Sequence, residues 1–183
     1  MCYQVVKNSG EMMNTSEDHE ALMARAIIEA EKALSLGEFP VGCVMTAVGK
    51  VIVGGRRKNS QKENRNELDH AEIVTLRELS ALTKRPDFSE ITVYSTMEPC
   101  LMCFSTLLLS GIRKFVYGYE DVMGGGCSLD LSGLAPLYRD MQPEIIPGIR
   151  RAECLALFQS FFNDPAHHYW RGSELAQYTL EQK

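Results

Sequence analysis

No apolar run in this sequence approaches the roughly 18 residues that a membrane-spanning helix needs, so a helical membrane protein is not expected. The stretch from Met1 to Glu20 is polar and acidic and lacks the charged-then-apolar order of a secretion signal, which points to the cytoplasm. An excess of positive charge is also missing. Lys and Arg number 19 against 24 Asp and Glu, a net charge of −5, whereas nucleic-acid binders generally present a basic face. The basic residues come in short groups, Arg56-Arg57-Lys58, Lys84-Arg85, Arg113-Lys114 and Arg150-Arg151, and form no stripe. A long nucleic acid is therefore the less expected partner. Internal repeats, low-complexity tracts and linkers are absent too. What is present, 183 residues with 45% hydrophobic and 23% charged, suits a single domain with a core that needs no disulfides.

The six cysteines stand at positions 2, 43, 100, 103, 127 and 154. An even count can signal disulfides, but not in a chain of this size and cytoplasmic character. Cys43 lies in an apolar strand and Cys154 on an apolar helix, where free cysteine behaves as a small hydrophobe. Only Cys100 and Cys103 have the spacing of metal ligands.

Residues 1–15 read as a loose leader. Thr15-Ser16-Glu17-Asp18 supplies capping and acidic residues ahead of Leu22, Ala26, Ile27, Ala30, Ala33 and Leu34, which predicts a helix that stops at Gly37. Val41–Val48 and Val51–Val53, joined at Gly49-Lys50, predict a hairpin. A polar loop over 54–68 follows, then a helix from His70 to Leu82, a strand at Ile91–Ser95 and an apolar helix from Cys100 to Leu109. Beyond it come a strand at Phe115–Tyr117, a glycine loop at 124–126, a strand at Glu144–Ile146 and a helix at Ala152–Phe162. The tail, 164–183, carries Tyr169, Trp170, Leu175, Tyr178 and Leu180, enough apolar surface for one more helix that packs across a dimer or closes over a pocket. This order predicts an α/β domain with helices on both faces of a mixed sheet.

Chemistry concentrates in His70-Ala71-Glu72 and Pro99-Cys100-Leu101-Met102-Cys103. Cys100 and Cys103 are one helical turn apart at a helix start, so both sulfurs can reach one ion. Pro99 suits a helix entry, and the positive end of the helix favours thiolate. One imidazole and two thiolates make a three-ligand zinc site whose fourth position stays open for water, and zinc lowers the pKa of such water to about 7. Glu72 would then move the protons. Three other readings stay open: a structural zinc completed by His19, His167, His168 or another cysteine, a redox C-x-x-C pair, and a catalytically silent relative.

In this order the pieces H-x-E and P-C-x-x-C form the signature of the zinc deaminases. With Gly37-Glu38-Phe39-Pro40-Val41-Gly42-Cys43-Val44, Asn59 eleven residues before His70, Met97-Glu98-Pro99-Cys100 and Gly118-Tyr119-Glu120-Asp121, the chain resembles the cytidine deaminase-like superfamily over about residues 19–162. Within it the likeness is to the branch of tRNA adenosine deaminases and guanine or cytosine deaminases. The resemblance implies a three-layer α/β/α sandwich with a five-stranded mixed sheet, one zinc per chain and a homodimer or larger assembly. It also implies that Asn59 hydrogen-bonds the base, that Phe39 and Val41 line the pocket and that the Ala71 N–H meets a base edge. The Glu98–Pro99–Cys100 backbone would lie near the reacting oxygen, and Asp121 would sit on the rim. Bland alternatives stand beside these: core for Phe39 and Val41, a turn for Asn59, a solvated carboxylate for Asp121.

The departures bear on substrate. Where the family usually has Asp-Pro-Thr-Ala before the histidine, this chain has Asn66-Glu67-Leu68-Asp69. Phe104 follows Cys103 where the family favours small residues, and could narrow the site. The tail lacks the basic helix used on tRNA. Asp69 reads either as the N-cap of the next helix, boxed with Glu72, or as an acceptor aimed at a base with ring N–H or amino donors. A small-molecule deaminase with a guanine-like nucleobase or nucleoside leads these readings. A tRNA adenosine deaminase forming inosine is the alternative, and a non-catalytic nucleic-acid-binding module is a distant third.

Overall fold

The computed structural model describes residues 16–61 and 65–182. The expected leader, 1–15, and the expected cap Thr15 lie outside the described residues. Helix α1 (Ser16–Ser35) turns Met23, Ala26, Ile27, Ala30 and Ala33 inward at helical spacing. Strands β1 (Gly42–Ala47) and β2 (Lys50–Arg56) form an antiparallel hairpin. Its turn residues Val48 and Gly49 both have positive φ, 49° and 70°, as a two-residue turn matched to strand twist requires. Helix α2 (Ala71–Ala81), strand β3 (Ile91–Met97), helix α3 (Leu101–Leu109) and strand β4 (Lys114–Tyr119) follow. Then come the short helix α4 (Pro136–Arg139), strand β5 (Glu144–Ile146), helix α5 (Arg151–Asn163) and helix α6 (Glu174–Glu181).

The five strands lie in the order β2-β1-β3-β4-β5. β1 runs antiparallel to both neighbours, whereas β3, β4 and β5 are parallel. Helices α1 and α5 pack together on one face of the sheet and α2 covers the other, touching α3. This is the expected three-layer α/β/α arrangement, and its core runs through both faces from Met45 and Val93 to Phe104, Phe115 and Phe158. No helix among the described residues is long and apolar enough to cross a membrane.

Two local differences from the sequence expectation have physical causes. β2 runs on to Arg56, into the segment expected to be loop, because Gly54 and Gly55 pair with Val44 and Cys43. A Cβ on Gly55 would stand 2.7 Å from Thr75 Oγ1, so the glycine is there to let α2 approach the sheet, not to break the strand. Helix α2 begins one residue later than expected. Its N-cap is His70, with φ −61° and ψ 150° and no side-chain cap bond, so the Asp69–Glu72 capping box does not form.

Candidate active site

Both metal-ligand pieces sit where a helix leaves an extended backbone. His70 is the N-cap of α2 and Cys100 the N-cap of α3, and neither side chain bonds the helix amides. Residues at this position usually spend their side chains on the first turn. Here they turn toward each other, with His70 Nδ1 at 3.5 Å from both Cys100 Sγ and Cys103 Sγ. All three ligand atoms lie within 4.8 Å of one another. Tetrahedral zinc with Zn–S near 2.3 Å and Zn–N near 2.05 Å puts nitrogen and sulfur about 3.6 Å apart, so the donor set fits zinc without rearrangement. Among the described residues no fourth His, Cys, Asp or Glu joins this group. The structural-zinc reading therefore finds no fourth ligand.

Of the two thiols, Cys100 is already biased toward the thiolate that binds metal. Cys100 is held down to about 4 by the hydrogen bond from Cys103 and by His70, against the opposing effect of burial. The same contact, together with burial, pushes the Cys103 thiol up. Burial works against a protonated His70, but its contact with Cys100 and the charge of Glu72 outweigh it and its pKa rises.

Glu72, on the first turn of α2, is 3% exposed. Burial raises its carboxyl pKa, and the nearby His70 only partly opposes this. Ser95 Oγ on β3 donates to Glu72 Oε1 at 3.1 Å, and Cys103 Sγ lies 3.6 Å from Oε2. The carboxyl is thus fixed beside the ligand group with a raised affinity for a proton. Sequence reasoning missed Ser95, which nothing distinguishes from other inward strand residues.

His70, Cys100 and Glu72 open onto a cavity of about 440 Å³, with Cys103 buried behind them. Of the residues expected to touch substrate, Phe39, Val41, Ala71, Glu98 and Asp121 line it with Cys100. Phe39 and Val41 are also core: Phe39 packs on Phe158, Phe161, Phe162 and Tyr169 with ring centroids 5.1–5.9 Å apart. Ala71 opens α2, where first-turn amides have no intrahelical acceptor. Glu98 accepts from Cys127 N at 3.0 Å and Asp121 N at 3.3 Å, so it anchors the glycine loop as well as lining the cavity. Asp121 accepts from Met123 N and Gly124 N at 3.0 and 2.9 Å, which makes it a turn-forming residue rather than a freely solvated one.

Four expected contact residues stand off the cavity. Asn59, in the left-handed region at φ 55°, spends its amide on Asp69 Oδ2 at 2.7 Å. Asp69 also accepts from Asn66 at 2.8 Å and Arg77 at 3.1 Å, so it braces the loop against α2; it does not cap that helix and does not line the cavity. Pro99 gives its carbonyl to Gly126 N at 2.9 Å. Phe104 is fully buried against Phe115, centroids 5.0 Å apart, because α3 turns it into the core while Cys100 and Met102 face the cavity.

Another part of the cavity wall was expected only for its tail residues, not for its loop residues. It comprises Arg57, Arg65 and Glu67 from the loop, with Tyr169, Trp170 and Leu175 from the tail. Glu67 Oε2 accepts from Tyr169 Oη at 2.7 Å and from Arg57 Nη2 at 3.1 Å, and it lies 3.8 Å from His70 Nε2. Arg65 stacks over Tyr169 at 5.0 Å and Trp170 at 5.8 Å. The tail closes over the pocket, one of its two expected placements.

The described family model "cytidine and deoxycytidylate deaminase zinc-binding region" matches residues 16–119, more than half of the chain. The chain belongs to this deaminase family. A tRNA-specific adenosine deaminase of Bacillus subtilis is 34% identical over 146 residues, covering 79% of this chain and 89% of that protein. A solved tRNA deaminase, studied for A-to-I editing at the wobble position of transfer RNA, superposes with a TM-score of 0.59 at 26% identity, covering 75% of this chain and 98% of that one. A guanine deaminase of Nitrosomonas europaea, at 20% identity and a TM-score of 0.58 over 78% of this chain and 83% of its own, shares the fold. Membership makes the chain a zinc-type hydrolytic deaminase, and the ligand set described above fits that metal.

Proposed function

We propose that this deaminase works with Glu72 as its proton carrier and with His70, Cys100 and Cys103 as its zinc ligands, residues 1–183 forming a single domain. The carrying observation is the buried Glu72 carboxyl, of raised pKa, opening onto the same cavity as His70 and Cys100, which with Cys103 behind them bring together three ligand atoms that fit tetrahedral zinc. When bound, zinc supplies Lewis acidity that makes water a nucleophile near neutral pH. Glu72 takes a proton from the water that attacks the amino-bearing ring carbon. It delivers that proton to the ring nitrogen, then takes the remaining proton of the added hydroxyl and gives it to the departing amine, so the C–O bond forms, the C–N bond breaks, ammonia leaves and a carbonyl replaces the amino group. Ser95 keeps Glu72 aimed at this carbon.

For substrate, the relatives favour adenosine in tRNA, converted to inosine, over the guanine-like small molecule that charge and tail suggested. The 34% identity to the Bacillus subtilis tRNA-specific adenosine deaminase supports this reading. One observation favours a free nucleobase or nucleoside instead: Tyr169, Trp170 and Leu175 wall the cavity, leaving less room for a polynucleotide. A coupled ammonia assay over free bases, nucleosides and nucleotides, with inosine analysis of a tRNA anticodon stem-loop, separates the two. No ammonia from any of them would reject both and favour a non-catalytic binding module. We further read the protein as a homodimer, consistent with the exposed Leu101 and Leu109 on α3.

A further inference from the structure

Arg57 is only 2% exposed, yet its Nε and Nη1 have no hydrogen-bond partner among the described residues. A buried polar group left unmatched typically costs about 1–3 kcal/mol, more when charged, and calls for an explanation. Its backbone is fixed, since Arg57 N donates to Val41 O at 2.8 Å. Of its side-chain nitrogens only Nη2 is hydrogen-bonded, to Glu67 at 3.1 Å, while the guanidinium carbon lies 5.4 Å from the centre of the Tyr169 ring. That carboxylate is shared: it also takes Arg65 Nε at 2.8 Å and Tyr169 Oη at 2.7 Å. Two guanidinium groups therefore face one carboxylate on this wall. The other acids of the cavity make no hydrogen bond to either guanidinium. Glu98 and Asp121 are committed to backbone amides of the glycine loop, and Glu72 is held by Ser95.

We propose that Arg57 is a specificity-determining residue that donates its free N–H groups to a phosphate oxygen carried beside the nucleoside being deaminated. The inference rests on the deaminase reading above and sharpens its substrate class. A guanidinium is the side chain suited to this task, because its planar donors match phosphate oxygens and it keeps its charge when buried. Arg65 adds a second cation at the same wall, and Tyr169 and Trp170 hold that cation in place by stacking. The phosphate belongs either to a free nucleotide or to the backbone of an RNA strand. Both bring the same chemistry to the same donors.

Binding is best measured where turnover cannot interfere, in zinc-loaded Glu72→Gln protein, with and without Arg57→Met. The probes are inorganic phosphate, the four common nucleosides, their 5′-monophosphates and a tRNA anticodon stem-loop, titrated calorimetrically. With Arg57 present, at least one phosphate-bearing probe should bind ten-fold or more tightly than its phosphate-free counterpart. Arg57→Met should erase that preference, while Arg57→Lys restores only part of it. Preference for a monophosphate assigns a free nucleotide, and preference for the stem-loop alone assigns the RNA backbone. Equal binding of each nucleoside and its monophosphate with no gain for the stem-loop, a preference that survives Arg57→Met, or no binding by any probe would each overturn the proposal. Failure of the deaminase reading shows separately, as no ammonia from the Glu72-containing protein.

Discussion

Glu72→Gln keeps the shape of the side chain and the Ser95 contact but removes the carboxylate that accepts and returns a proton. Positioned proton transfer contributes about 10²–10⁴-fold, so turnover should fall by that factor. Zinc content by elemental analysis should remain one per chain, because Glu72 is not in the ligand group. A variant that loses zinc along with activity would make Glu72 a ligand instead. Asp69 gives the opposite pattern. Its oxygens bind Asn59, Asn66 and Arg77 away from the cavity, so Asp69→Asn should lower the melting temperature while kcat/KM stays within a few fold. A large loss of turnover at constant melting temperature would restore it to the substrate pocket.

At the scale of elements, polar contacts tie the tail to the rest of the domain, and Glu120, just after β4, makes one of them. Glu120 Oε2 accepts from Arg151 Nε on α5 at 2.8 Å, and Oε1 accepts from Tyr178 Oη on α6 at 2.8 Å. Burial tends to raise this carboxyl, but the hydrogen bonds from Arg151 and Tyr178 outweigh it and its pKa lies below the ordinary 4.5. A depressed folded-state pKa gives stability that is present above 4.5 and is lost as pH falls through the folded value. Because the group is partly exposed, Glu120→Gln should cost only about 1 kcal/mol, or roughly 2–4 °C at neutral pH for a chain of this size. The gap should narrow in thermal melts as pH falls below 4.5; a gap unchanged with pH would mean that charge is not what ties α6 to α5. Removing residues 166–183 should raise KM, since Tyr169, Trp170 and Leu175 leave the cavity wall, and unchanged kinetics would discount the tail as part of the site.

These elements also show what was legible beforehand. The ligand trio could be read because its parts are short-range: His70 and Glu72 on one helix start, Cys100 and Cys103 one turn apart on another. The sheet could be read from β-branched runs and turn residues. The Arg57–Glu67–Tyr169 wall could not, since Tyr169 lies 102 positions from Glu67 and only the packing of the tail on Phe39 brings them together. Asn59 and Asp69 stand off the cavity for a related reason. The resemblance put Asn59 at the base, and Asp69 could be read as a cap or as an acceptor, but the two bond each other, with Asn66 and Arg77 as further partners of Asp69.

For the whole molecule, zinc should link activity to stability, because binding favours the folded state that assembles the three donors. Chelation should abolish ammonia release and lower the melting temperature together, and added zinc, but not magnesium, should restore both. The most direct measurement is X-ray absorption at the zinc edge of the protein as purified. Expected are two sulfurs near 2.3 Å and two light atoms near 2.0–2.1 Å, one of them imidazole and the other exchangeable with added ligand. A third sulfur, such as that of the buried Cys127, or a closed shell of four protein ligands would contradict an open catalytic site.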